Sequence, residues 1–110
     1  MRFHYALNGF KLALFQEQSI WIHISATTLV VLFSILKKVS TIEALALTLT
    51  IGSVWTAELF NTAIEKLADK VCSDYNAQIK IVKDVSAAAV LTSAITAVVT
   101  GLIIFIPKFI

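Results

Sequence analysis

An all-α membrane fold is what this sequence predicts, and three observations carry that expectation. Hydrophobic residues make up 58% of the 110 positions, and the mean hydropathy of +0.87 is far above that of a soluble domain. Three apolar segments, 20–36, 42–64 and 85–106, each approach the ~20 residues that cross a hydrocarbon core as a helix. One proline, Pro107, and three glycines, Gly9, Gly52 and Gly101, interrupt the chain. In lipid a helix is the single segment that satisfies its own backbone hydrogen bonds, so the segments predict three transmembrane helices in one domain, 1–110.

The first segment, 1–18, precedes them. Phe3, Leu7, Phe10 and Leu14 recur at spacings of four, three and four, with Arg2, Asn8, Lys11 and Gln18 falling mostly elsewhere. That pattern predicts an amphipathic helix lying on the membrane surface. The mixed character of this segment does not fit a cleaved signal peptide, which needs a short apolar core and a small-residue cleavage site.

The polar turn at 37–41 separates the first two spans, and the charged stretch 66–84 separates the second from the third, with Ser73, Asp74 and Asn76 offering turn or cap chemistry. Asp84 is a candidate N-cap before Val85. Arg2, Lys11, Lys66, Lys70, Lys80 and Lys83 fall on one side of the bilayer, and Lys37, Lys38 and Lys108 on the other. This asymmetry predicts that the N-terminus and the second loop are inside. A net charge of +2, divided between both faces, argues against nucleic-acid binding and for anionic head groups. The single cysteine, Cys72, excludes an intrachain disulfide and reads as a small interfacial residue.

Candidate chemistry concentrates in Glu58-Leu-Phe-Asn-Thr-Ala-Ile-Glu-Lys-Leu-Ala-Asp69, directly after the second apolar run. At about 100° per residue, Glu58, Glu65 and Asp69 fall within roughly 40° of one another on a helix, and Asn61 about 60° to one side. Glu58 and Glu65 are about 10 Å apart along the axis, too far to share one magnesium ion held about 2.1 Å from each ligand oxygen. They therefore take different tasks. Glu58, partly desolvated at the apolar end, is the better proton acceptor and the candidate general base. Glu65, nearer the water and flanked by Asn61 and Asp69, is the candidate ligand for a cation with bound phosphate. Glu17, at the end of the surface helix, is available as a second carboxylate.

Taken together with Lys83-Asp84, the run Ser86-Ala87-Ala88-Ala89-Val90, and Gly9 and Glu17 upstream, this stretch resembles the small bacterial integral-membrane lipid kinases, the family of diacylglycerol kinase and undecaprenol kinase. The resemblance covers nearly the whole chain. It implies a homotrimer of three-span subunits, active sites between neighbouring subunits at the cytoplasmic surface of the bacterial inner membrane, and ATP with magnesium as phosphoryl donor. By position, Glu58 resembles the general base, Glu17 and Glu65 the metal-coordinating carboxylates, and Asn61, Asp69, Lys83 and Asp84 the ATP-site residues.

The acceptor implied is a lipid alcohol, diacylglycerol or undecaprenol, with its hydroxyl at the interface where Glu58 is expected. Lipid contact is assigned to Trp21, His23 and Ala87; Trp21-Ile22-His23 resembles the branch with a histidine here, common in undecaprenol kinases. No G-x-x-x-x-G-K-[ST] loop exists in the chain. Magnesium and Lys83 would then neutralise phosphate charge in its place. Two other classes use the same residues: a non-catalytic membrane oligomer, and a proton or ion carrier built on Glu58 and Asn61. A carrier would place ionisable groups at several depths, and the first and third spans hold almost none beyond His23.

Overall fold

A computed structural model describes residues 2–16 and 18–110, with the side chains of 15–19 left out of the description. Among the described residues the chain forms four helices: α1 (Arg2–Gln16), α2 (Gln18–Leu36), α3 (Thr41–Val71) and α4 (Ala77–Phe109). Helices α3 and α4 are long and apolar enough to cross a membrane, whereas the apolar part of α2, Ile20–Leu36, is shorter. The molecule is elongated, 52 × 34 × 20 Å.

Local chemistry sets the helix ends. Lys38 closes α2 in the left-handed conformation, φ 52°. The Val39 amide reaches back to the Ser34 carbonyl at 3.2 Å, which is the Schellman arrangement usually given to glycine. Ser40 then opens α3 with a reciprocal capping box: its hydroxyl accepts from the Glu43 amide at 3.1 Å, and the Glu43 carboxylate accepts from the Ser40 amide at 2.8 Å. Asn76 caps α4, its side-chain oxygen accepting from the amides of Gln78 and Ile79 at 2.9 and 3.2 Å.

That cap corrects the expectation for Asp84. Helix α4 starts eight residues before the apolar run, so Asp84 lies inside it and pairs with Lys80 one turn earlier at 2.6 Å instead of capping anything. Hydropathy marks where the bilayer begins, and a helix continues through the polar turns beyond it.

Very little apolar surface is buried within the chain. Among the described residues the buried apolar side chains are Ala13, Ile20, Leu47, Val54, Ala68 and Ile104, while Leu49, Phe60, Leu91, Ile95, Val98 and Ile103 face outward. In water such a surface would aggregate; in lipid it is the ordinary exterior, because hydrocarbon replaces water as the solvent. The face of α1 carrying Phe3, Leu7 and Phe10 is likewise exposed, as an interfacial helix requires.

Helices α3 and α4 form the main antiparallel pair. Polar contacts fix their register at both ends and near the middle of the site: Glu43 with Lys108 at 3.0 Å, Asn61 with Ser86 at 2.8 Å, and Asp69 with Lys83. Helix α2 joins them through Phe33, whose ring meets those of Phe105 and Phe109 edge-on at 6.4 and 5.7 Å between centroids. The Lys37 ammonium sits 4.2 Å over the Phe109 ring. A cleft of about 500 Å³ runs between the three helices, from His23 and Trp55 to Leu47 and Phe105.

Candidate active site

The polar stripe of α3 begins about where the hydrocarbon ends. Twenty residues of helix rise about 30 Å, the thickness of the core, and counted from Ile42 that reaches the level of Asn61. Counted back from Ile106 along α4, the same twenty residues reach Ala87, so Ser86 stands within one residue of the level of Asn61. The two residues meet: the Ser86 hydroxyl donates to Asn61 Oδ1.

Glu58 is buried, 4% exposed. His23, from α2, brings its Nε2 to 3.2 Å from Glu58 Oε2. Thr62, one turn along α3, donates its hydroxyl to the Glu58 carbonyl at 3.0 Å and is buried with it. A carboxylate so enclosed is costly unless it is hydrogen-bonded, and the histidine supplies a donor from a different helix.

One turn outward, the amide orientation of Asn61 is set by its neighbours. Because Oδ1 accepts from Ser86, Nδ2 is turned toward Glu65 Oε1, 3.4 Å away. Beyond Glu65, the exposed Asp69 carboxylate pairs with the Lys83 ammonium. Lys83 precedes the apolar part of α4, and its titration is moved above the ordinary lysine value, first by the hydrogen bond to Asp69 and more weakly by the charge of Glu65.

The stripe thus divides into an enclosed end at Glu58 and an open, charged end. The structure brings together Glu58 with His23, Asn61 with Glu65, and Asp69 with Lys83. Asp84 stays apart from them, exposed and paired with Lys80. Trp21 and Ala87 are exposed on α2 and α4, and Glu17 lies outside the described residues. Two partners escaped the sequence reading. Ser86 was visible only as part of a run of small residues, and His23 only as an interfacial histidine.

The donor set at the open end suits a hard cation. Glu65 offers a carboxylate beside the Asn61 amide, while among the described residues no three His, Cys, Asp or Glu side chains converge. Magnesium takes one or two carboxylates plus substrate phosphates, so this half-set fits an ion shared with a nucleotide better than a closed protein cage.

The site thus sets a buried carboxylate beside paired charges toward one end of a long apolar helix. Comparison with known proteins gives the class: this is a lipid kinase. The chain belongs to the prokaryotic diacylglycerol kinase family, which matches it over residues 4–105. It is 35% identical over 92 residues to undecaprenol kinase of Bacillus subtilis (strain 168), covering 84% of this chain and 75% of that protein. It is also 35% identical over 106 residues to diacylglycerol kinase of Synechocystis sp. (strain ATCC 27184 / PCC 6803 / Kazusa), covering 96% of this chain and 61% of that protein. The family is membrane-associated, in keeping with the two long apolar helices.

Proposed function

We propose that this chain transfers the γ-phosphoryl group of ATP to the hydroxyl of a membrane lipid alcohol, undecaprenol or diacylglycerol. The observation that carries this reading is the buried Glu58 toward the polar end of the long apolar helix α3, one to three turns from Asn61, Glu65 and Asp69, the last paired with Lys83 of α4. Glu58 accepts the hydroxyl proton as the oxygen attacks phosphorus. The carboxylate lies 3.2 Å from the His23 imidazole of α2.

Phosphoryl transfer is chiefly a matter of positioning and neutralising phosphate oxygens. Glu65, with Asn61 beside it, would hold magnesium, and Glu17 would complete the ligand set. Bound there, the ion supplies charge neutralisation at the phosphates. Lys83, fully protonated at neutral pH in its pair with Asp69, adds a second positive charge where a glycine-rich loop would otherwise act. Asp84, next to Lys83 on α4 but turned aside and tied to Lys80, contributes to nucleotide binding only once that pair opens.

The single domain 1–110 spans the bacterial inner membrane three times, over 20–36, 42–64 and 85–106, with α1 and the active site on the cytoplasmic face. Three copies form the working unit, and neighbouring subunits complete each site. The outward apolar side chains of α4, together with Ala87, leave surface for a neighbouring helix or an acyl chain. Trp21 anchors α2 at the interface.

The test is direct. Purified protein in lipid vesicles receives γ-labelled ATP, magnesium and either undecaprenol or diacylglycerol, and label is followed into the lipid fraction. Transfer to one of them is expected, and the preferred acceptor identifies the substrate. No transfer to either overturns the proposal in favour of the non-catalytic or ion-carrying alternatives.

A further inference from the structure

We propose that His23 is a positioning residue for Glu58, holding the carboxylate in the orientation from which it receives the substrate proton. This rests on the assignment of Glu58 as proton acceptor, and it gives His23 a different task from the lipid contact expected from sequence.

Three observations converge on the role. The contact joins residues 35 positions apart on different helices, with side chains only 18% and 6% exposed. A carboxylate has no donor of its own, so the proton in the 3.2 Å contact belongs to the imidazole, which donates from Nε2 to Oε2. The histidine is itself braced. Its ring lies 6.4 Å from that of Trp55, one turn before Glu58 on α3. Trp55 in turn donates its indole N–H to the Thr27 hydroxyl, one turn after His23 on α2, at 3.0 Å.

His23, Thr27, Trp55 and Glu58 therefore form a four-residue frame with two hydrogen bonds crossing between α2 and α3, one turn apart. Such a frame ties the rotation of α2 to the position of Glu58 Oε2. Indole and imidazole also line one end of the largely apolar cleft, which Thr27 and Thr50 share with aliphatic and aromatic side chains such as Val54, Val98 and Phe105. A lipid chain seated in that cleft would carry its polar end toward the frame. Misplacing a catalytic group by about 1 Å lowers turnover by as much as ~100-fold, so a single cross-helix hydrogen bond is enough to govern rate.

The experiment compares His23→Leu, which keeps the bulk and loses the donor, with His23→Gln, whose amide places an N–H near the former Nε2. Each protein is assayed in vesicles for kcat and for KM toward ATP and toward each lipid, with Glu58→Gln as reference. We expect His23→Leu to lose roughly 10- to 100-fold in kcat with both KM values within about twofold, and His23→Gln to regain most of that loss. If His23→Leu is not recovered folded, His23→Met serves as the donorless variant.

An unchanged kcat in the donorless variant overturns the proposal, as does an equal loss in His23→Gln. A raised KM for lipid at constant kcat also overturns it and returns His23 to lipid contact. Full activity of Glu58→Gln removes the base assignment itself, an outcome distinct from loss of the positioning role.

Discussion

Replacing Glu58 by glutamine separates the chemical role of this side chain from its structural one. Glutamine has nearly the same volume and retains an oxygen that accepts from His23 Nε2, now 3.2 Å from Glu58 Oε2, so the cross-helix contact survives. What disappears is the ability to take a proton. A positioned general base contributes about 10²–10⁴ in rate, and at 1.36 kcal/mol per decade this is about 2.7–5.4 kcal/mol of barrier. Binding should be spared, because Glu65 lies seven residues along α3, a rise of about 10 Å. The expected result is a loss of about 10²–10⁴ in kcat with an unchanged KM for ATP. Stability should hold or rise, since a buried charge becomes a neutral amide at the same partner. Initial rates of label transfer and denaturation in detergent measure the two effects. A kcat within about threefold of the parent would refute the assignment, and a collapse of stability would show that the carboxylate serves the fold instead.

Ser86→Ala removes the hydroxyl that donates to Asn61 Oδ1. It is expected to cost about 1–2 kcal/mol in detergent denaturation and to raise the KM for ATP, because the Asn61 amide is then free to turn away from Glu65. An unchanged KM would break that link. Lys83→Met should raise the KM for ATP roughly tenfold with little change in stability, since its partner Asp69 is exposed. The lysine's folded-state titration is raised, so its charge and the pairing persist from neutral pH upward and fade only as pH climbs through that raised value. A KM for ATP that rises on alkalinisation within the neutral range, and does so in the parent but not in Lys83→Met, would contradict this. Lys38→Gly relieves the left-handed backbone at the end of α2 and should stabilise by about 0.5–1 kcal/mol without altering activity; destabilisation in the same assay would refute it.

Composition and apolar run lengths made the all-helical membrane class legible, because the bilayer leaves few alternatives for the backbone. Helical phase made the stripe from Glu58 to Asp69 legible, because one helix at 100° per residue is sufficient to align it. Positions that depend on two helices were harder. Asn61 and Ser86 stand within one residue of the same level, as counting twenty residues from Ile42 to Asn61 and from Ile106 to Ala87 shows. Their contact further required the rotation of α4, which no single-helix pattern supplies. His23 with Glu58 is of the same kind: the frame depends on Trp55 and Thr27, two residues with no distinguishing sequence pattern. The start of α4 was misplaced for another reason. Residues 77–84 mix charged and apolar side chains, yet Asn76 supplies the cap and Lys80 with Asp84 supports the turn, so helix and apolar run do not begin together.

The same register that aligns α3 with α4 explains how a site can be built where so little is buried. Apolar packing between membrane helices has no water to escape from, and α3 and α4 show little apolar burial to hold them in one axial position. Polar pairs do that instead. Glu43 with Lys108 fastens one end, Asp69 with Lys83 the other, and Asn61 with Ser86 the level between. A slip of one residue on either helix would move its side chains 1.5 Å along the axis and about 100° around it. All three pairs would break together. The residues proposed to hold nucleotide therefore also set the depth of Glu58, and a lipid hydroxyl and a water-borne phosphate can meet only at the level those pairs define.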